Sequence, residues 1–476
     1  MYFVDKDLLS MQESRVLLEK MYHAQSNLNH YSSVSLDKIA RSLISVFKKH
    51  YRQFIELEYQ ETRCGNVDDA CQLLLDVLNH IDEHVQEKIL GILKEDEQGQ
   101  ELEVGVPVGG IVSLLPMTNA TLYLFYILLL SIKSGNALIL VPHQATVKAI
   151  KDILDIVKPH LEDQGLLFDA LLYFEHVVDR GVGELLANMH EGVVLNIGRS
   201  TYDTLMTQCV RPVYYAAIEP SPAFIEKSAD IQKAVKDVIN SRTFNNGILP
   251  ASEQYLIVEK PVAKEVKQAL ENNGAYYMTK EEEHLLLNYM TPSEFYDSTE
   301  CIGKSAEYLA KRAGFNVPNG TTLLVSMQDY ISDLQLYTNN IYGPVLIVYE
   351  EPDWICSCEK CIQLLQESQR GHTLAIHSHN KHVIHEFIMK KPVGRIIVNG
   401  PATFSSMGLH SDLSVTVLFG GRTTGRGSIA TNIVPKDFTY TRHVGYGKER
   451  IVKDNKAVIS DDILLFIRTL SNELHK

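Results

Sequence analysis

Between residues 106 and 198 short, wholly apolar runs alternate with stretches patterned as helices, and few folds accommodate that order. Val106-Pro-Val-Gly-Gly-Ile-Val-Ser-Leu-Leu-Pro116 reads as a strand, Thr121 to Lys133 as a helix and Asn136-Ala-Leu-Ile-Leu-Val-Pro142 as a second strand. Thr146 to Val157 is again helical, and Gly192-Val-Val-Leu-Asn-Ile-Gly198 is a third strand entering a turn. Strands without polar alternation are buried on both faces, so the interleaved helices must cover both sides of an open parallel sheet. Ligands bind such sheets at the carboxyl ends of the strands. A second α/β unit begins near Pro222, with a helix over Asp230–Ile239 and strands at Tyr255–Glu259, Leu323–Val325 and Val345–Tyr349. Ahead of both lie helices between about residues 7 and 95, with Ser35 read as an N-cap and a break at Gly65. The expected division is N-terminal helices over 1–100, a nucleotide-binding-like domain over 101–221 and a catalytic-like domain over 222–403. Residues 404–476 are expected to return to the first domain and carry an oligomerisation strand and tail.

A formal net charge of −14 speaks against nucleic acid or an anionic membrane as partner. The longest apolar run, Leu122 to Ile132, is too short for a bilayer, which takes about 20 residues. The N-terminus lacks the pattern of a signal peptide, and seven cysteines without framework spacing suit a reducing cytoplasm. Cys356, Cys358 and Cys361, with His372, His377, His379, His382 and His385 downstream, invite a zinc reading. Their spacing is not that of the usual zinc pairs, so packing is the plainer expectation and no metal is expected. Cys64 and Cys71 flank the Gly65 break and read as ordinary thiols rather than a redox pair.

The chemistry concentrates in Ser241-Arg-Thr-Phe-Asn-Asn-Gly-Ile-Leu-Pro-Ala-Ser-Glu-Gln254. This stretch resembles the nucleophile loop of the CoA-acylating aldehyde dehydrogenases, which reads F-x-N-G-x-x-C-A-S-E-Q. Phe244, Asn246, Gly247, Ala251, Ser252, Glu253 and Gln254 all match, while Pro250 stands where that family has its nucleophilic cysteine. Pro107-Val-Gly-Gly-Ile with Pro116-Met-Thr-Asn119 is similar to the family's P-x-G-x-I…P-x-x-N. Ser134-Gly-Asn-Ala-Leu-Ile-Leu-Val-Pro142-His143 is similar to its R/G-N-A-x-x-x-x-P-H. The resemblance implies that Asn119 is the oxyanion-hole amide; read without it, an Asn near Pro simply makes an Asx turn. Cys301-Ile-Gly-Lys-Ser-Ala through Pro318, Gly371-His-Thr-Leu-Ala-Ile-His-Ser378 and Arg395-Ile-Ile-Val-Asn-Gly-Pro-Ala-Thr403 resemble further motifs, in family order.

The departures cluster where the resemblance places a nicotinamide cofactor, whose site would involve Pro116, Pro142, His143, Gly198, Arg199, Ser200 and Asn340. The family's T-G-G-P-G turn is Ile197-Gly198-Arg199-Ser200-Thr201 here, with side chains where bare backbone should meet a pyrophosphate. Side chains there hinder the approach of a phosphate, or Arg199 instead binds it directly. Glycines of the family's K-P-A-x-G-x-G-x-G-N-x-P are replaced by Tyr215, Ala217 and Glu219; Glu219 reads as a base or, more plainly, a solvated or paired carboxylate. Counting back from Pro344, Asn340 stands where aldehyde dehydrogenases have the ribose-gripping glutamate.

The resemblance therefore implies an aldehyde dehydrogenase-like α/β fold, with two Rossmann-like open-sheet domains, an oligomerisation arm near Pro435–Gly447 and a homodimer or higher homo-oligomer. No alcohol dehydrogenase half is expected after the amphipathic helix at Ile459–Leu470, for which Ser460 reads as the N-cap. NAD or NADP is expected to bind weakly, CoA or another small molecule remains open, and turnover is expected to be lost. The alternative is an active oxidoreductase with its nucleophile moved to Ser252 or a distant cysteine.

Overall fold

The computed structural model describes residues 5–97, 101–198, 202–207, 209–291, 300–331, 340–367, 371–421, 429–447 and 461–474. Two strands form an antiparallel ribbon, β1 (Gly91–Glu95) and β2 (Glu101–Pro107). The first open sheet follows, from β3 (Ile111–Leu114), β4 (Leu138–Val141), β5 (Leu171–Tyr173), β6 (Val193–Ile197) and β7 (Val213–Ala216). Its order is β5-β4-β3-β6-β7, every pair parallel. The order reverses between β3 and β6, which puts the carboxyl ends of those strands, at Leu115-Pro116 and Gly198, beside the natural ligand crevice.

The second sheet takes β8 (Ser221–Ile225), β9 (Glu253–Glu259), β10 (Ala275–Tyr277), β11 (Leu323–Gln328), β12 (Val345–Glu351), β13 (Thr373–His377) and β14 (Arg395–Val398). It is parallel throughout, in the order β10-β11-β12-β9-β8-β13-β14. The last strand, β15 (Thr439–Gly445), pairs antiparallel with β2 and closes a three-stranded arm with an exposed outer face. The α/β class with two open parallel sheets is thus the one the strand–helix alternation predicts.

The apolar run that was too short for a membrane is the helix Ala120–Ser134, and all fifteen of its residues are buried. A helix apolar all round needs cover on every side. It receives that cover from the first sheet and from the helix Ser33–Thr62. Gly135 ends it in a left-handed conformation (φ 69°), where a Cβ would be strained. Among the described residues no helix is long and apolar enough to cross a membrane, and no group of three or more His, Cys, Asp or Glu could hold a metal ion.

Two local expectations are corrected. The run Val106–Pro116 is not one strand: it bends at Gly109 (φ 114°), so that β2 joins the arm while β3 enters the parallel sheet. A Cβ on Gly109 would sit 3.1 Å from the Gly192 nitrogen, so glycine allows both the bend and the close approach. The second helix is capped by Ser32 rather than Ser35; the Ser32 hydroxyl accepts from the Ser35 N–H at 3.1 Å. Ser35 lies three residues further on and is the donor of that cap. Arg199, Ser200 and Ser460 lie outside the described residues.

Candidate active site

The helix Ile231–Thr243 delivers the loop that carries Pro250, and β9 carries the chain away from it. Between them the backbone turns through left-handed conformations at Asn245, Asn246, Gly247 and Ala251 (φ 49°, 52°, 72° and 61°). At Gly247 a Cβ would lie 2.6 Å from the Gly343 carbonyl, so only glycine lets the two segments touch. Pro250 is buried at the apex. Its carbonyl accepts from the Thr403 hydroxyl at 3.1 Å, while the next N–H, that of Ala251, donates to the Glu219 carbonyl at 2.9 Å. Position 250 has neither a thiol nor an N–H to offer a reacting carbonyl.

Asn119 stands beside this loop and caps the helix Ala120–Ser134 from a left-handed conformation of its own. Its side-chain amide donates to the Ile248 carbonyl at 3.0 Å, and its Oδ1 accepts from the Asn245 amide at 2.9 Å. Asn245 in turn accepts from the Asn66 N–H. The Asn119 amide is therefore committed to the loop backbone two residues before Pro250. The half-buried Glu58 receives the Ala120 and Thr121 N–H groups at 2.9 and 2.7 Å, a reach across helices that the sequence patterning did not single out.

The stretch Ala251–Gln254, which matches the family motif without a break, serves anchoring. Arg242 is fully buried; its Nε donates to the Val345 carbonyl, one NH group to the Ser252 hydroxyl and the other to the Ile341 carbonyl, at 2.8, 3.0 and 2.8 Å. Gln254 accepts from the Ile341 N–H at 2.7 Å. Burial lowers the Arg242 guanidinium to about 9 and raises the Glu253 carboxyl to about 8; Glu253 also receives the Ala402 N–H. Ser252 is thus wholly buried against a guanidinium and presents no hydroxyl to a substrate.

Asn340 precedes Ile341, whose carbonyl and N–H are held by Arg242 and Gln254, so that segment is joined to the loop. Across the crevice, burial raises the Tyr215 phenol against a hydrogen bond to Asn196 at the end of β6. The Ile218 side chain fills the space at Gly198, where a Cβ would come within 2.2 Å of it. Pro116 and Pro142 are buried beyond β3 and β4, and His143 Nδ1 accepts from the Ala145 N–H at 3.2 Å. The Glu219 carboxylate accepts from the Ile218 N–H at 3.1 Å rather than facing a thiol.

His372 was a motif match without a role, and its role is structural. Its Nε2–H donates to the Glu219 carbonyl at 2.8 Å, while Nδ1 lies 2.8 Å from the Thr373 hydroxyl, which also accepts from Arg395 at 3.2 Å. Burial, then the Arg395 charge, depresses His372 to about 3; burial depresses His377 to about 4. A depressed folded-state value means stability present above the ordinary pKa of 6.5 and lost as pH falls. The unfolding midpoint should therefore drop from pH 6.5 toward pH 4, at up to about 1.4 kcal/mol per pH unit per histidine. Thermal denaturation across that range checks this; His372→Gln should flatten the slope, and a midpoint indifferent to pH would contradict it.

Two cavities adjoin the loop. A cleft of about 480 Å³ is lined by Asp69, Asp76, His80, Phe244, Phe404 and His410 among others, with the Phe244 and Phe404 rings perpendicular at 5.1 Å. A second, of about 20 Å³, lies among Asn119, Asn245, Ile248, Glu58 and Cys64 and has room for about one water. Cys64, read from the sequence as an ordinary thiol, thus lies near Asn119. Burial raises it to about 11, and it donates to the Thr62 carbonyl, so it is held as an unreactive thiol.

Twin open sheets, an arm closed by a distant strand and a loop poised between the strand ends define an aldehyde dehydrogenase fold. Comparison with known proteins makes that specific. A probable aldehyde dehydrogenase of Listeria monocytogenes EGD-e is 30% identical, with a TM-score of 0.89, the match covering 94% of this chain and 99% of that one. The acetylating succinate-semialdehyde dehydrogenase of Clostridium kluyveri is 26% identical over 437 residues, 90% of this chain and 95% of its own length. The bifunctional aldehyde-alcohol dehydrogenase of Escherichia coli (strain K12) is 24% identical over 454 residues, which span 93% of this chain but 50% of that protein. No family model matches the chain. The chain belongs to the aldehyde dehydrogenase family, and its similarity extends to CoA-acylating members.

Proposed function

We propose that this protein is a non-catalytic member of its family, retained for binding or assembly. The observation that carries the reading is Pro250, buried at the apex of the loop where the family's motif has its thiol. In that motif the thiolate attacks an aldehyde and the resulting oxyanion is held by an Asn amide and the nucleophile's own N–H. Proline removes the nucleophile and one of the two donors together. Loss of a single such donor typically costs about 10²–10³ in rate, and loss of the covalent nucleophile removes the route itself. Ser252 and Cys64, the other nucleophilic side chains beside the loop, are respectively locked under Arg242 and held protonated, which supports this reading over a relocated nucleophile.

The residues present fit a nicotinamide dinucleotide poorly. Asn340 offers an amide in place of a carboxylate, Tyr215 and Glu219 stand where the family's motif has glycines, and the Ile218 side chain packs against Gly198. Binding of NAD is expected to be weak, and Asn340→Glu should tighten it roughly tenfold or more, since charge-assisted hydrogen bonds contribute about 1.5–3 kcal/mol. Calorimetry checks this. Micromolar NAD binding by the unaltered protein, unmoved by Arg199→Ala, would count against it.

A small-molecule role remains for the cleft beside Phe244 and Phe404, whose paired rings and carboxylates offer both apolar and polar contact. Assembly as a homo-oligomer through the exposed arm β1-β2-β15 belongs to the same reading. The direct test is turnover: purified protein with acetaldehyde or propionaldehyde, CoA and NAD should give no NADH above a protein-free blank. A CoA-dependent burst abolished by Cys64→Ser, Cys209→Ser or Cys301→Ser would instead establish a moved nucleophile.

A further inference from the structure

Far from the Pro250 loop, one buried lysine keeps unusual company. Lys391 ends the helix Lys381–Lys390 as its C-cap and is 7% exposed. A buried ammonium normally meets a carboxylate. Among the described residues none pairs with Lys391. Its Nζ lies 2.8 Å from the Cys358 carbonyl, 4.1 Å from the centroid of the Phe387 ring and 2.5 Å from the Cys358 sulfur. Cys358 is itself buried, at 6% exposure, on the helix Trp354–Glu367.

That nitrogen–sulfur separation is too short for a hydrogen bond to an atom as large as sulfur. Even to the smaller oxygen, N–H donors sit at about 2.7–3.2 Å. It is the span of two atoms that share one bridging atom. Cys361, three residues along the same helix, is completely buried and feels the Lys391 charge, so it is the competing thiol that the test must separate.

We infer that Cys358 and Lys391 form an oxidative cross-link through a single oxygen, Nζ–O–Sγ, with hydrogen peroxide as the oxidant. The thiolate attacks one peroxide, forming an S–O bond as the O–O bond breaks, and water leaves behind a sulfenic acid. The neutral amine attacks a second peroxide in the same way, giving a hydroxylamine and water. The hydroxylamine oxygen then displaces hydroxide from sulfur, taking up the proton balance as a third water. One thiol, one amine and two peroxides thus give the bridge and three waters. Reduction needs four electrons, so two equivalents of a dithiol return the thiol, the amine and one water.

The bridge joins the helix after β12 to the turn before β14, two connections otherwise linked by packing and by the Lys391 bond to the Cys358 carbonyl. Protein treated with peroxide and digested under non-reducing conditions should yield one cross-linked peptide pair joining Cys358 and Lys391, heavier than the sum of its parts by one oxygen and lighter by two hydrogens. The pair should vanish with dithiothreitol, be absent from Cys358→Ser and Lys391→Arg, and persist in Cys361→Ser. Because the decisive map is made on the unaltered chain, the inference does not depend on whether a variant folds. A Cys358 sulfenic or sulfinic acid with Lys391 unlinked would overturn it. So would a product lacking two hydrogens without added oxygen, which marks a disulfide to Cys361 or a direct N–S bond.

Discussion

Pro250→Cys is expected to yield a thiol that alkylating reagents detect and almost no acylating dehydrogenase activity. The substitution returns both the thiol and the backbone N–H. It does not free the Asn119 amide, which is spent on the Ile248 carbonyl, nor clear Tyr215 and Ile218 from the crevice. The Glu219 carboxylate lies close by through its backbone bond to Ala251, and like charge disfavours a thiolate. Activity should emerge only when Asn340→Glu and glycines at 215 and 219 accompany the cysteine. Steady-state assays with propionaldehyde, CoA and NAD decide this. Should the single substitution come within about tenfold of typical enzymes, whose kcat has a median near 10 s⁻¹, the broad decay of the site would be refuted.

Arg242→Ala is expected to be the most damaging substitution in the loop's surroundings, although Arg242 touches no reacting position. Its guanidinium satisfies the Ile341 and Val345 carbonyls and the Ser252 hydroxyl in a site from which water is excluded. Each such group left unsatisfied costs about 1–3 kcal/mol, and the emptied volume adds to that. The total is on the order of 4 kcal/mol against native stabilities of about 5–15 kcal/mol. Arg242→Lys should recover part of the loss, because an ammonium cannot reach three acceptors in a fork. Calorimetric melting checks it: the Ala variant should melt roughly 10 °C or more below the unaltered protein, and a difference within about 2 °C would show that the three bonds contribute little.

How much of this was written visibly in the sequence follows the range of the interactions. Apolar runs too uniform for half-exposed strands announced the parallel sheets, because a strand's burial is recorded in its own residues. The loop was legible as a motif, and the left-handed backbone at Asn245, Asn246 and Gly247 is what such residues permit. The split at Gly109 was hidden because hydrophobicity runs on through the bend. Arg242 stood in the quoted Ser241–Gln254 stretch without a role of its own; its acceptors come from residues 341 and 345, about a hundred positions away. Glu58 and His372 were obscure for the same reason, since each acts on backbone groups brought near only by folding.

The account turns on whether this chain can accept an acyl group, and acyl transfer from propionyl-CoA asks that without requiring the nicotinamide cofactor. The unaltered protein would be incubated with excess propionyl-CoA, quenched in acid and weighed intact. The mass of the unmodified chain is the predicted result, because no reactive thiol stands at position 250. A stoichiometric propionyl adduct, mapped to any side chain and discharged by free CoA, would contradict it.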